Sequence, residues 1–224
     1  MVRECRALLH DFTLQVWYSD RWQWRPDPDH AYLVCGAYHL PTSRQPIALD
    51  EAEDLIWHRH VPLKVSIFAW RLLCDMLPTK EILVARGIIT PYAHLCVSSC
   101  GDIESAQHFF LSCSFFGSLW PLVRSWIGFS SVDTQQLPDH FLQFIYSSGG
   151  LRSRRSFLHL IWLVCVWVVW NERNQRLFKN YECSLTQLLD KVKLYSYRWL
   201  KTTDFNLVLN YHTWWSTPCI WLGI

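Results

Sequence analysis

Hydrophobic positions fall into two rhythms along this chain. At 20–34, "DRWQWRPDPDHAYLV" alternates large apolar with polar residues on both sides of "PDPD", whose prolines and aspartates have the chemistry of a turn. That pattern predicts a small N-terminal β-hairpin. Beyond it the period becomes helical. "AYHLP" predicts a short helix stopping at Pro41. "LDEAEDLIWHRH", 49–60, places acids in a first turn that suits the positive end of a helix dipole and closes before Pro62. Pro62 is acceptable in the first turn of the next helix, where Val65, Phe68, Trp70, Leu72, Leu73 and Leu77 make more than one side apolar and predict a deep position. Thr79 is a candidate cap for a following helix that ends at Gly87.

Further on, "ESAQHFFLSCSFFGSLWPLVRSWIG" predicts two short helical pieces with Gly128 as a stop. Helices follow near 140–146 and across "SLTQLLDKVKLYSYRWL", with Ser184 as its cap. Between them "FLHLIWLVCVWVVW" is apolar for 14 residues, with arginines before it and "NER" after it. A membrane span needs about 20 residues at helical rise, so this run predicts a buried core helix. Its continuation, "NERNQRLFKN", puts Leu177 and Phe178 on an apolar stripe and the charges toward water. The fold class is therefore mainly α, in three regions: a hairpin-containing flank at 1–49, a central unit at 50–127 and a helical region at 128–224.

Composition supports a packed interior. Half of the 224 residues are hydrophobic and 18% are charged, which excludes a disordered or acidic-tail protein. Most of the 14 tryptophans are expected to pack, since each can bury a large area. A net charge of +2 is well short of the excess that marks a dedicated nucleic-acid binder, so any such contact must be local. "MVRECRALLHDF" has no apolar run before a small-residue cleavage site; an intracellular, reducing setting is expected, in which nine cysteines need not pair.

Three of those cysteines and one histidine crowd into "CVSSCGDIESAQHFFLSC", 96–113. Zinc takes thiolate and imidazole ligands in a tetrahedral set of four, two commonly from a turn and two from a following helix. Cys96 and Cys100 form the turn hook, Gly101 reverses the chain, and Glu104 is read as the start of a short helix on which His108 faces back to the loop and Cys113 closes the set. Free cysteine is often merely a small buried residue. Four potential ligands in one loop-to-helix unit favour zinc, and four ligands make the site structural rather than catalytic. His94 is a competing ligand that requires the chain to double back.

The run from Trp57 through "VPLKV", "FAWRLL", "LPT", "ARG", the two cysteines, "ESAQHFF", Cys113 and Trp120 resembles the zinc-binding domain that follows the polymerase in reverse transcriptases of plant non-LTR retrotransposons. The resemblance places Cys96, Cys100, His108 and Cys113 on that family's CCHC ligands and implies one structural zinc ion. The first hook departs from the usual two intervening residues by having three, Val97, Ser98 and Ser99. "WVVWNERN" also looks like sequence that flanks the domain in such elements.

Polymerase chemistry needs paired aspartates that hold two metal ions. "YSD" at 18–20 has a lone aspartate, and "DEAED" at 50–54 reads as a helix start. There is no G-x-S-x-G, Walker loop or H-E-x-x-H, and "WHRH" reads as a half-exposed helix end. The chain is thus expected to be a non-enzymatic, detached C-terminal portion of the element's polyprotein, with no membrane span and no small-molecule substrate. Two roles follow. One is an accessory module in which Lys64, Arg71, Lys80, Arg86 and Arg124 contact phosphates of RNA or single-stranded DNA. The other is a structural or protein-interaction remnant whose tryptophan-rich surface docks on a reverse transcriptase core.

Overall fold

The computed structural model describes residues 56–129, 134–147, 152–203, 211–216 and 218, all within the second of the chain's two units, Ile47–Ile224. The hairpin at 20–34, the helix before Pro41 and the acidic turn at 50–54 lie outside the described residues.

The described part is mainly helical. In chain order the helices are α1 (Leu63–Leu73), α2 (Lys80–Ala85), α3 (Leu119–Ile127), α4 (Leu137–Tyr146), α5 (Arg152–Lys179), α6 (Leu185–Thr203) and α7 (Tyr211–Ser216). A 3-10 turn at Pro91–Ala93 and a π-helical turn at His108–Ser112 lie between α2 and α3. Among the described residues extended pairing is limited to one antiparallel bridge, Leu95 with Ile103.

The 28-residue α5 is the axis of the fold. It packs against α1, α4 and α6, while α6 also meets α3 and α7. Covered from several sides, α5 is buried nearly without interruption from Phe157 to Trp170, as a helix that is hydrophobic all round requires. No helix among the described residues is long and apolar enough to cross a membrane.

Local signals act as their chemistry directs. The Thr79 hydroxyl accepts from the Ile82 amide at 3.4 Å. Ser184 accepts from the Gln187 amide while the Gln187 side chain accepts from the Ser184 amide, a reciprocal capping box. Gly128 ends α3.

Three expectations need correction. Helix α1 is deep on one face only: Val65, Phe68, Ala69, Leu72 and Leu73 are buried, whereas Leu63 and Ile67 are exposed, because a single neighbour, α5, covers it among the main helix contacts. On α5 the stripe beyond Trp170 is reversed. Phe178 is 79% exposed, while Glu172 and Arg173 are buried at 1% and 4% because each has fixed polar partners inside. Glu104, read as a helix start, precedes the helical turn and is wholly buried. Of the described tryptophans only Trp57 is exposed. Helix α7 was not anticipated; Trp214 fills the interior and donates its indole N–H to the Lys193 carbonyl at 3.0 Å.

Candidate metal centre

The loop that carries Cys96 and Cys100 is closed at its base. Beside the Leu95–Ile103 bridge, the Cys96 amide donates to the Asp102 carbonyl at 2.8 Å and the Glu104 amide to the His94 carbonyl at 2.9 Å. Inside that frame the chain must turn twice. Ser99 (φ +60°) and Gly101 (φ +91°) both take the left-handed region. Glycine adopts it freely; serine there carries a steric cost of about 1–2 kcal/mol. This is how the third spacer residue is absorbed, with Ser99 folded out to solvent and both sulfurs kept inward.

The second pair of ligands depends on the π turn. In an α-helix residues five apart point about 140° away from each other. A bond from the Cys113 amide to the His108 carbonyl, 2.7 Å, widens the turn so that both side chains face the same side. Phe109 and Phe110 then point into the core. Phe109 meets Phe116 at 4.4 Å between ring centroids, and Phe110 stacks on Trp170 at 6.3 Å. Gly117 lies so close behind the turn that a Cβ would come within 2.3 Å of the Leu111 carbonyl oxygen.

The donor atoms of Cys96, Cys100, His108 and Cys113 all lie within 4.8 Å of one another. Cys96 Sγ to Cys113 Sγ is 3.9 Å, and Cys100 Sγ to His108 Nε2 is 3.2 Å. Tetrahedral zinc with bonds of about 2.3 Å to sulfur places its sulfurs roughly 3.8 Å apart, so the set fits that ion. His94 is not among the converging atoms; its Nδ1 turns to the Pro91 carbonyl.

A second ring of groups prepares these ligands. His108 Nδ1 faces Asp102 Oδ2 at 3.7 Å, which orients the imidazole with Nε2 toward the sulfurs. The Ser98 hydroxyl lies 3.2 Å from Cys96 Sγ and 3.1 Å from Cys113 Sγ. The hydrogen bond from Cys96 holds the Cys113 thiol well below the ordinary range, helped by Ser98 and by the Phe116 and Phe115 amides, and the same contact pushes Cys96 up.

The centre is tied to α5 through Glu104. Its Oε1 accepts from Arg173 Nη2 at 2.6 Å, Arg173 Nε at 2.9 Å and the Lys80 amide at 3.1 Å, while Oε2 has no partner. Arg173 also donates to the Pro78 carbonyl and lies over the Trp170 ring at 4.4 Å. Neither Asp102, Ser98 nor this pair was singled out from sequence. Ser98 and Asp102 flank the hook and are visible once its geometry is known; the partner of Glu104 is 69 residues away.

The expected phosphate-contacting residues sit on separate elements. Lys64 and Arg71 are on α1, Lys80 opens α2, Arg86 follows it, and Arg124 is on α3. Several already have protein partners: Lys64 Nζ lies 5.5 Å over the Trp167 ring, Arg71 donates to the Met76 carbonyl, and Lys80 Nζ donates to the Leu95 carbonyl at 2.7 Å.

Three cysteine sulfurs and one imidazole, converging inside a mainly helical unit, form a set that could hold one metal ion and whose chemistry is consistent with zinc. Residues 32–120 match the family described as zinc-binding in reverse transcriptase, which supports a reverse transcriptase zinc-binding domain over that stretch. Neither the curated proteins nor the solved structures give a match.

Proposed function

We propose that this chain is a non-catalytic accessory module of a reverse transcriptase of the plant non-LTR retrotransposon kind, in which a zinc-stapled loop helps to hold RNA or DNA template. The observation that carries the reading is the convergence of Cys96, Cys100, His108 and Cys113 within a segment that matches the zinc-binding family. Lys64, Arg71 and Arg86 are exposed and suit phosphate contact, with Arg124 on α3. Lys80 is spent on the Leu95 carbonyl and supports the loop itself.

Anisotropy titrations of the zinc-loaded chain with labelled single-stranded RNA and DNA over a salt series test the reading. Sequence-tolerant binding that weakens steeply with salt is expected, because released counterions drive it. Neutralising Lys64, Arg71 and Arg86 to glutamine should flatten that salt dependence. Absence of binding at low salt overturns the template role.

A second reading, docking on a reverse transcriptase core, is favoured by the apolar exposure of Trp57 (55%), Leu63 (64%) and Ile67 (39%) at and before α1. Capture of the core that is lost in Leu63→Ser, with nucleic-acid binding absent in the parent chain, would select it.

A further inference from the structure

A second polar site lies where His58, before α1, meets the end of α4 and the start of α5. A cavity of about 190 Å³ is lined by His58, Ile145, Arg152, Arg155, Ser156 and His159. Among the described residues no acidic side chain lines it. His159 is 5% exposed, and its Nε2 is buried without a hydrogen-bond partner. Arg155 Nε is likewise buried and unpartnered, with the guanidinium 5.7 Å from the Tyr146 ring centroid. A buried N–H or ring nitrogen left unpaired costs free energy of about 1–3 kcal/mol; the Arg155 Nε–H lacks an acceptor, and so does His159 Nε2 in the tautomer that carries its proton there.

The proton arrangement favours donors. The His60 amide donates to His58 Nδ1 at 3.3 Å, so Nε2 of neutral His58 carries the hydrogen and donates to Ser156 Oγ at 2.8 Å. The Ser156 hydroxyl hydrogen is then free to point into the cavity. Burial holds His58 down to about 4 and His159 down to about 3, so both rings are neutral near pH 7 and positive charge comes from the arginines.

The charge pattern on α5 agrees. Its first turn contains no acid but carries Arg152, Arg154 and Arg155, cations at the positive end of a 28-residue helix dipole. Among the described residues no carboxylate pairs with these arginines. An oxyanion in the cavity would satisfy the helix end, the arginines and the orphaned nitrogen together.

We propose that this cavity is a phosphate-group site, in which Arg155, Ser156 and His159 bind the oxyanion oxygens and Arg152 supplies charge at the rim. The group could be carried by free inorganic phosphate or by the backbone of a nucleic acid. The site is independent of the metal centre and of the template reading.

Its test follows the imidazole resonances of His58 and His159 in the nitrogen-15-labelled, zinc-loaded full chain, titrated with inorganic phosphate, with a single-stranded oligonucleotide, and with sodium chloride at matched ionic strength. Saturable movement of both imidazoles with phosphate or oligonucleotide is expected. Either Arg155→Gln or Ser156→Ala should weaken it about tenfold, the loss expected for one charge-assisted or buried hydrogen bond. Arg152→Gln, at an exposed position, serves if Arg155→Gln lowers the zinc content or the melting temperature. Response to oligonucleotide alone supports the site and assigns it to nucleic-acid phosphodiesters; tighter response to inorganic phosphate supports it and assigns it to the free ion. Unmoved imidazoles with both probes, or the same movement with chloride, overturn it.

Discussion

At Ser99 the chain keeps a serine where the backbone calls for glycine. Ser99→Gly should stabilise the zinc-loaded chain by about 0.5–1 kcal/mol, because relief of the left-handed strain exceeds the added freedom of the unfolded chain. Ser99→Val should cost at least as much in the opposite direction, since a branched Cβ tolerates this region poorly. Urea midpoints of the zinc-loaded variants measure both. Glu104 has larger stakes. Glu104→Gln leaves the Arg173 guanidinium buried without its counter-charge and should cost about 3–5 kcal/mol. Adding Arg173→Met should recover much of that loss, a coupling that a double-mutant cycle measures. These two positions also divide what sequence could reveal. The four metal ligands were legible because they lie within eighteen residues and their chemistry is shared. Glu104 was read as a helix start because an acid at such a position ordinarily is one, and its partner belongs to a distant helix.

Among the elements, the π turn is the piece that pattern reading could not supply. Apolar periodicity is judged against 3.6 residues per turn, and within that rhythm "HFFLSC" sends His108 and Cys113 apart. Only the 108–113 bond brings them together while Phe109 and Phe110 stay in the core. The long helix was legible for the opposite reason, since an uninterrupted apolar run has no face to misassign. Its polar end was not, because Glu172 and Arg173 are buried by partners rather than by hydrophobicity. The elements also differ in what holds them. Residues 88–108 are exposed or half-buried apart from Cys96, Glu104 and Ala106 and are held by the ligand set together with the Arg173–Glu104 pair, whereas Phe109, Phe110 and Phe116 pack into the aromatic core. Structural zinc is worth about 10–16 kcal/mol in finger peptides, as much as the net stability of many domains. Chelation should therefore abolish amide-exchange protection over 88–108 and leave α5 protected. Cys113→Ser should do the same without chelator, and one tightly held zinc per chain in that variant would refute the ligand set.

For the molecule as a whole, acid stability is set in part away from the metal. His58 and His159 sit edge to face at 4.9 Å and are both held neutral by burial. Their folded values, about 4 and about 3, lie below the ordinary 6.5, so the unfolded chain binds more protons between these limits. Stability is fully present above pH 6.5 and is lost as pH falls toward 4 and then 3. Each pH unit of separation corresponds to about 1.4 kcal/mol, so the pair contributes several kcal/mol to the acid limb. His159→Phe should flatten that limb relative to the parent at equal zinc loading, as read from melting temperatures across pH 4–7. Thiolate protonation also releases metal in acid, and the difference between the two chains isolates the imidazoles.

The ion pair that Arg173 donates to Glu104 bears on how such a module could travel between genes. A recombination that transplanted the ligand-bearing stretch alone would deliver every metal donor and yet strand a naked carboxylate and a bare aromatic face. A transplant that keeps this contact must therefore carry the finger together with its distant helical buttress.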